Sequence, residues 1–351
     1  MKMQSQTRQI AFTAAFSISA SHGSGAGKSH RCLPAAFAAV IMVAGCTGSS
    51  GAPRADGSSA GRVVLYGGSN ESPSALDDTW EWEGSAWRQF APAATPGGRA
   101  EFGMASLGGK ALLFGGWGGW DGPTPADTSP LWEWDGSAWT ERTVSEPPYR
   151  SKCAMATLGG KVVLFGGGAS GLLGDTWEWD GNNWTLRSTT GPSPRAHHAM
   201  ATFGGKVVLF GGMALGSTPS SFGDTWEWDG DTWTLRSSTG PSPRDSTAMA
   251  ALGDKLVLYS GVNGLSTDAP QDDTWEWDGG TWTQRSVTGP GARWAHTMAT
   301  LGNKIVLFGG VDQSASHWLS DTWEWDGNVW TQRPVTGPGP RQDAGMVATL
   351  P

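Results

Sequence analysis

Six arginines, Arg99, Arg150, Arg195, Arg244, Arg293 and Arg341, stand at the same point of a recurring pattern. A guanidinium is a planar fork that carries its charge at every physiological pH and grips a carboxylate with two parallel hydrogen bonds. Five aspartates, Asp78, Asp175, Asp224, Asp273 and Asp321, recur further along and can take five of these arginines as internal pairs; at the sixth matching place the chain has Pro130. The arginines are therefore either framework ion pairs or a set of cations open to a ligand. Four tryptophans, Trp117, Trp120, Trp294 and Trp318, fall outside the pattern, and flat aromatic faces of that kind suit sugars or peptides. His198 and His296 occupy equivalent places, where other copies carry Cys153, Phe102, Thr247 and Ala344. Two histidines so spaced are too few for a metal site, and the sequence assigns no metal, no catalytic residue and no cofactor.

The elements that must position these residues come from one repeat. Near-copies of Asp175-Thr176-Trp177-Glu178-Trp179-Asp180-Gly181 begin their tryptophans at Trp80, Trp132, Trp177, Trp226, Trp275 and Trp323, at spacings of 52, 45, 49, 49 and 48 residues. That period marks a repeated sheet-sized unit. Within a unit, a short apolar run is followed by a turn such as Gly204-Gly205 and then Val207-Val208-Leu209-Phe210-Gly211-Gly212, which predicts two strands joined by a tight hairpin. Thr225 to Asp229 alternates so that both tryptophans share one face, and Trp233 follows in a fourth strand. Glu81, Glu133, Glu178, Glu227, Glu276 and Glu324 face Arg88, Arg142, Arg187, Arg236, Arg285 and Arg333 on the neighbouring strand and read as cross-strand pairs.

Four antiparallel strands per unit, with units packed face to face, make the blade of a β-propeller. The double glycine after four apolar residues, followed by an aromatic with six residues between it and a tryptophan, resembles the kelch motif, in its tryptophan-rich bacterial form. The likeness recurs six times over residues 62–351. It departs at Ser260-Gly261 in blade five and Pro130-Leu131 in blade two. The chain opens its first blade at a second strand, Arg62 to Tyr66, and finishes on a first strand within Arg341 to Leu350. The expectation is an all-β, six-bladed kelch-type propeller whose C-terminal strand completes the N-terminal blade, leaving no open edge. The resemblance implies that first-strand arginines touch ligands. Some kelch propellers are enzymes, such as galactose oxidase, whose copper site needs paired tyrosines; with only Tyr66, Tyr149 and Tyr259 present, that chemistry is not expected. Sialic-acid mutarotases are another kelch-type activity.

Ahead of the repeat, Lys28 and Arg31 precede an apolar run over residues 33–45 that ends in Val43-Ala44-Gly45-Cys46. The arrangement is that of a secretory signal, too short for a membrane-spanning helix. It resembles the lipobox of bacterial lipoproteins, with Cys46 as the lipidated residue. Residues 1–46 are then a signal peptide, 47–61 a flexible tether rich in glycine and serine, and 62–351 the propeller. Without Lys2, Arg8, Lys28 and Arg31 the basic count falls from 24 to 20 against 32 acidic residues, a net charge near −12. A nucleic-acid partner is not expected. The short hairpins gather at one end of the propeller and the long loops at the other, so the variable-loop face is the expected binding face. The reading is a non-catalytic, monomeric binding module at the cell envelope or secreted, touching the membrane only through a lipid on Cys46 and recognising a glycan or a protein. Its alternative is a sugar-modifying propeller, mutarotase-like or oxidoreductase-like, that uses Arg and His residues at the channel mouth.

Overall fold

The computed structural model describes residues 61–72, 75–118, 130–144, 147–214, 220–263, 270–312 and 317–350. The signal segment with Cys46, the tether before residue 61, and Trp120 lie outside these residues. The described residues contain no helix. They form six four-stranded antiparallel sheets, the blades, arranged around a central cavity. Blade four shows the plan: Ala199–Phe203, Lys206–Phe210, Thr225–Trp228 and Trp233–Ser237, each paired with the next. Blade one takes its innermost strand, Gly345–Thr349, from the end of the chain and pairs it with Arg62–Tyr66 over five residue pairs. The propeller is therefore closed by the seam that the repeat phase required.

In blade four the first strand opens at Ala199, two residues after His197, which sits at φ 54° in the left-handed region outside the extended range of a strand.

Each blade buries its second strand on both faces, as in Val207, Val208, Leu209 and Phe210, all 0% exposed. Two tryptophans from the outer strands lock against each other; Trp228 and Trp233 lie 5.5 Å apart between ring centroids. The fourth-strand tryptophan then ties its blade to the preceding one. Trp282 donates from Nε1 to Thr225 Oγ1 at 2.8 Å, and Trp87, Trp139, Trp233 and Trp330 bond Thr322, Thr79, Thr176 and Thr274 in the same way. Blade two has Leu131 in place of that threonine, and the Trp184 indole N–H is buried without a partner. Removing a hydroxyl elsewhere should reproduce this defect. Thr225→Val is expected to cost about 1–2 kcal/mol, the penalty of stranding the Trp282 N–H in the interior, read as a lower urea midpoint at unchanged slope.

On the exposed edge of the blades, the buried glutamate of each third strand collects cations. Glu178, Glu227 and Glu324 each meet an arginine (Arg187, Arg236, Arg333) and a lysine (Lys161, Lys206, Lys304). Glu133 and Glu276 meet Arg142 and Arg285. In blade one Glu81 pairs with Arg62 at 3.6 Å and accepts from the Trp134 indole N–H at 3.1 Å, while Arg88 lies over the Phe90 ring.

Candidate functional site

The variable-loop end of the cavity is built by a device that strand patterning does not announce. One residue per blade, two positions after the arginine, adopts positive φ between 53° and 61°: Glu101, Lys152, His197, Ser246, Ala295 and Asp343. None is glycine, although left-handed backbone costs other residues roughly 1–2 kcal/mol. The turn aims each N–H along the circumference, so the six donate to one another in a closed circle: Lys152 to Glu101, His197 to Lys152, Ser246 to His197, Ala295 to Ser246, Asp343 to Ala295 and Glu101 to Asp343, at 2.6–3.2 Å. The backbone of this collar repeats six times; its side chains do not.

Those side chains make an asymmetric mouth. Asp343, Glu101 and Lys152 are consecutive around the collar, with His197 next and the small Ser246 and Ala295 opposite. Lys152 Nζ lies 3.6 Å from Glu101 Oε1. Burial raises the Asp343 carboxyl to about 8, the Glu101 charge adds to the rise, and Lys152 opposes it. Burial also raises Glu101, against the pull of Lys152. Two adjacent carboxyls that resist simultaneous ionisation can hold a proton between them near neutral pH. His197 is pushed down to about 3 by burial and then by Lys152, so it stays neutral.

The Asp343 shift sets a pH dependence. Below about pH 4 the carboxyl is protonated folded and unfolded, and contributes nothing. Between about 4 and 8 the unfolded chain ionises first, so folded stability falls as pH rises; above about 8 both states are ionised and the loss is constant. The whole shift would correspond to about 5–6 kcal/mol, and water at the half-open mouth screens this to about 2. Asp343→Asn is expected to be more stable than the native chain at pH 8 and to lose that advantage by pH 4, in parallel urea titrations.

The six arginines lie beneath this mouth, each 0–2% exposed. Five make two-point ion pairs: Arg150–Asp175, Arg195–Asp224, Arg244–Asp273, Arg293–Asp321 and Arg341–Asp78, at 2.5–3.0 Å. Each guanidinium also donates to the carbonyl that closes its blade's second strand, as Arg195 does to Gly211. A Cβ added at Gly211 would stand 2.4 Å from the Arg244 carbonyl oxygen; blade five fits Ser260 at the same place, at φ 53°, with its hydroxyl donating to the Arg293 carbonyl. Among the described residues, Arg99 has no such carboxylate.

Of the tryptophans set apart by the sequence, Trp117, Trp294 and Trp318 are half-buried rather than projecting. Trp117 pairs through its backbone with Ala100, beside Glu101. Trp294 pairs with Val311, and Val311 bridges to Trp318, beside Ala295. They therefore flank the Asp343–Glu101 sector on both sides. His198 and His296 are 6% exposed, stack edge-on against Phe165 and Tyr259, and are held neutral by burial, which lowers both to about 3. Among the described residues, no three His, Cys, Asp or Glu side chains gather as a metal site. The collar carries the residues that sequence reasoning passed over. The available signal was the position two after each arginine, where Glu, Lys, His, Ser, Ala and Asp alternate inside an otherwise uniform repeat.

A family model described as the KLHDC2/KLHL20/DRC7 Kelch-repeats domain matches residues 42–212 and 117–281, which together span 42–281. No curated protein matches the chain. With the family model covering more than half of the sequence, and six four-stranded blades closed through the C-terminal strand, the chain belongs to the kelch-repeat β-propellers.

Proposed function

We propose that this propeller is a non-catalytic binding module, anchored at the cell envelope through Cys46 or secreted, that takes a partner protein on its variable-loop face. A kelch propeller fold suggests a protein-interaction module. The observation that carries the reading is the collar: a backbone ring repeated six times whose only varying content is side chains directed by a strained turn. Left-handed non-glycine residues concentrate at sites where the side chain has a task. The Asp343–Glu101 sector, with Trp117, Trp294 and Trp318 alongside, matches a partner that offers a cation or hydroxyl beside an apolar surface.

A photo-crosslinking residue at Trp117 or Trp294 should give a discrete adduct in intact cells. One at Asn182, on the opposite end of the propeller, should not. Equal adducts from both ends would refute the assignment of the face. The flanking tryptophans also favour a glycan, which an oligosaccharide array would reveal as binding lost in a Trp117→Ala/Trp120→Ala/Trp294→Ala/Trp318→Ala variant. A sugar-modifying activity draws support from the paired carboxyls alone; turnover abolished by Asp343→Asn would establish it over simple binding.

A further inference from the structure

Blade two contains an ion pair with one half missing. In the other five blades a single aspartate carboxylate serves two donors: the arginine fork grips both oxygens, and the first third-strand tryptophan donates its indole N–H to one of them. In blade four these distances are 2.6 and 2.9 Å from Arg195 and 2.7 Å from Trp226 to Asp224. Blade three repeats them with Arg150, Trp177 and Asp175 at 2.7, 2.9 and 2.7 Å. In blade two Pro130 occupies the aspartate's place. Both donors are present, and among the described residues no carboxylate meets them. Arg99 is 1% exposed and turns Nη1 and Nη2, the atoms that grip the aspartate in the other blades, to the Gly115 and Pro96 carbonyls alone. Trp132 Nε1, the counterpart of the Trp226 and Trp177 donors, is buried and has no acceptor.

From the stranded indole and the buried guanidinium without its ion pair we infer that blade two is a binding site for one external carboxylate, held by the Arg99 guanidinium and the Trp132 indole N–H in the place the aspartate fills elsewhere. The position is reachable from solvent, because the aspartate side chains that occupy it in the other blades are 12–21% exposed while their arginines are buried. A carboxylate fits better than a phosphate or sulfate: in the five internal examples the fork takes the two oxygens of one carboxylate, and one of those oxygens also accepts from an indole N–H. A buried guanidinium without an ion pair is costly, and burial holds the Arg99 acidity constant below its ordinary value, with the nearby Glu141 charge opposing this only in part. Filling the site relieves both.

The carboxylate could come from a small organic acid or from a glutamate or aspartate on a partner, and the chemistry at the site is the same. Blade two stands apart from the collar, so the test does not depend on the binding proposed there. The full chain, ¹⁵N-labelled, is titrated with sodium acetate against sodium chloride at constant ionic strength, following the indole N–H signals. One signal, identified as the one missing in Trp132→Phe, is expected to shift saturably with acetate and not with chloride. Pro130→Asp supplies the internal carboxylate and keeps the fold, since aspartate stands there in five blades; acetate binding is expected to weaken by about tenfold or more, and the unfolding temperature without acetate to rise. Glucuronate and a blocked glutamyl peptide distinguish the source: the tighter of the two identifies it. Absence of a saturable shift, or a shift that survives in Pro130→Asp, would overturn the proposal. So would acetate binding that arises only in Asp121→Asn/Asp127→Asn, which would mean that the chain's own aspartate fills the place.

Discussion

A chain ending at Pro340 is expected not to fold as a monomer. The deletion removes Gly345–Thr349, the strand that covers the inner edge of Arg62–Tyr66, and leaves Val63, Val64, Leu65 and Tyr66, each 0% exposed in the native protein, without their neighbour. It also takes away Arg341, whose fork holds Asp78 at 2.5 and 2.8 Å. The collar loses Asp343, so its circle of hydrogen bonds is cut and two strained turns lose their partners. In the closed propeller each blade's apolar second strand is covered on both sides, whereas the truncated one exposes such a strand with unpaired backbone groups, the geometry that recruits other chains. Together these losses exceed the roughly 5–15 kcal/mol by which a domain is stable. Near-UV circular dichroism and gel filtration should show a dye-binding, aggregating product. A monomer melting within a few degrees of the intact chain would show that the seam is dispensable.

Asp224→Ala is expected to destabilise the fold by about 3–5 kcal/mol, the most of any single framework substitution on the variable-loop side. The change leaves Arg195 buried, fully charged and stacked 3.9 Å from the Phe222 ring, with its bonds to the Gly211 and Ser193 carbonyls but no counter-charge. Breaking one partner of a buried pair costs far more than the pair itself contributes. Burial by itself would raise the Asp224 carboxyl, but the bonds and charge of Arg195 and the Trp226 indole N–H outweigh it and hold the group below its ordinary value. Such a carboxylate stabilises the fold above its unfolded-state value, and that contribution is lost as pH falls through the lower folded-state value. The variant should therefore differ most from the native chain near neutral pH and converge with it in acid. Arg195→Met together with Asp224→Leu should recover most of the loss, since the charge leaves with its partner; urea unfolding of the four chains of that cycle measures it. If Asp224→Ala alone costs less than about 1 kcal/mol, solvent reaches Arg195 more freely than its burial implies.

The repeat determined a great deal by itself. Its period and the alternation of Thr225 to Asp229 dictated four strands per blade. Starting on a second strand and ending on a first one dictated closure, because a propeller's blades leave one strand position open only if the chain fails to return. The matching of arginines to aspartates was legible because both recur in phase, and so was the gap at Pro130. Only the tertiary structure decided what that gap means, since the demand for a carboxylate comes from two donors, Arg99 and Trp132, that are 33 residues apart and share a neighbourhood only after the blade folds. The collar was decided there too. Left-handed turns at Glu101, Lys152, His197, Ser246, Ala295 and Asp343 have no residue-type signature, because each is stabilised by a hydrogen bond to a carbonyl in the adjacent blade. Sequence order fixes which residue reaches that point; the closed circle of blades fixes the direction in which its backbone must turn.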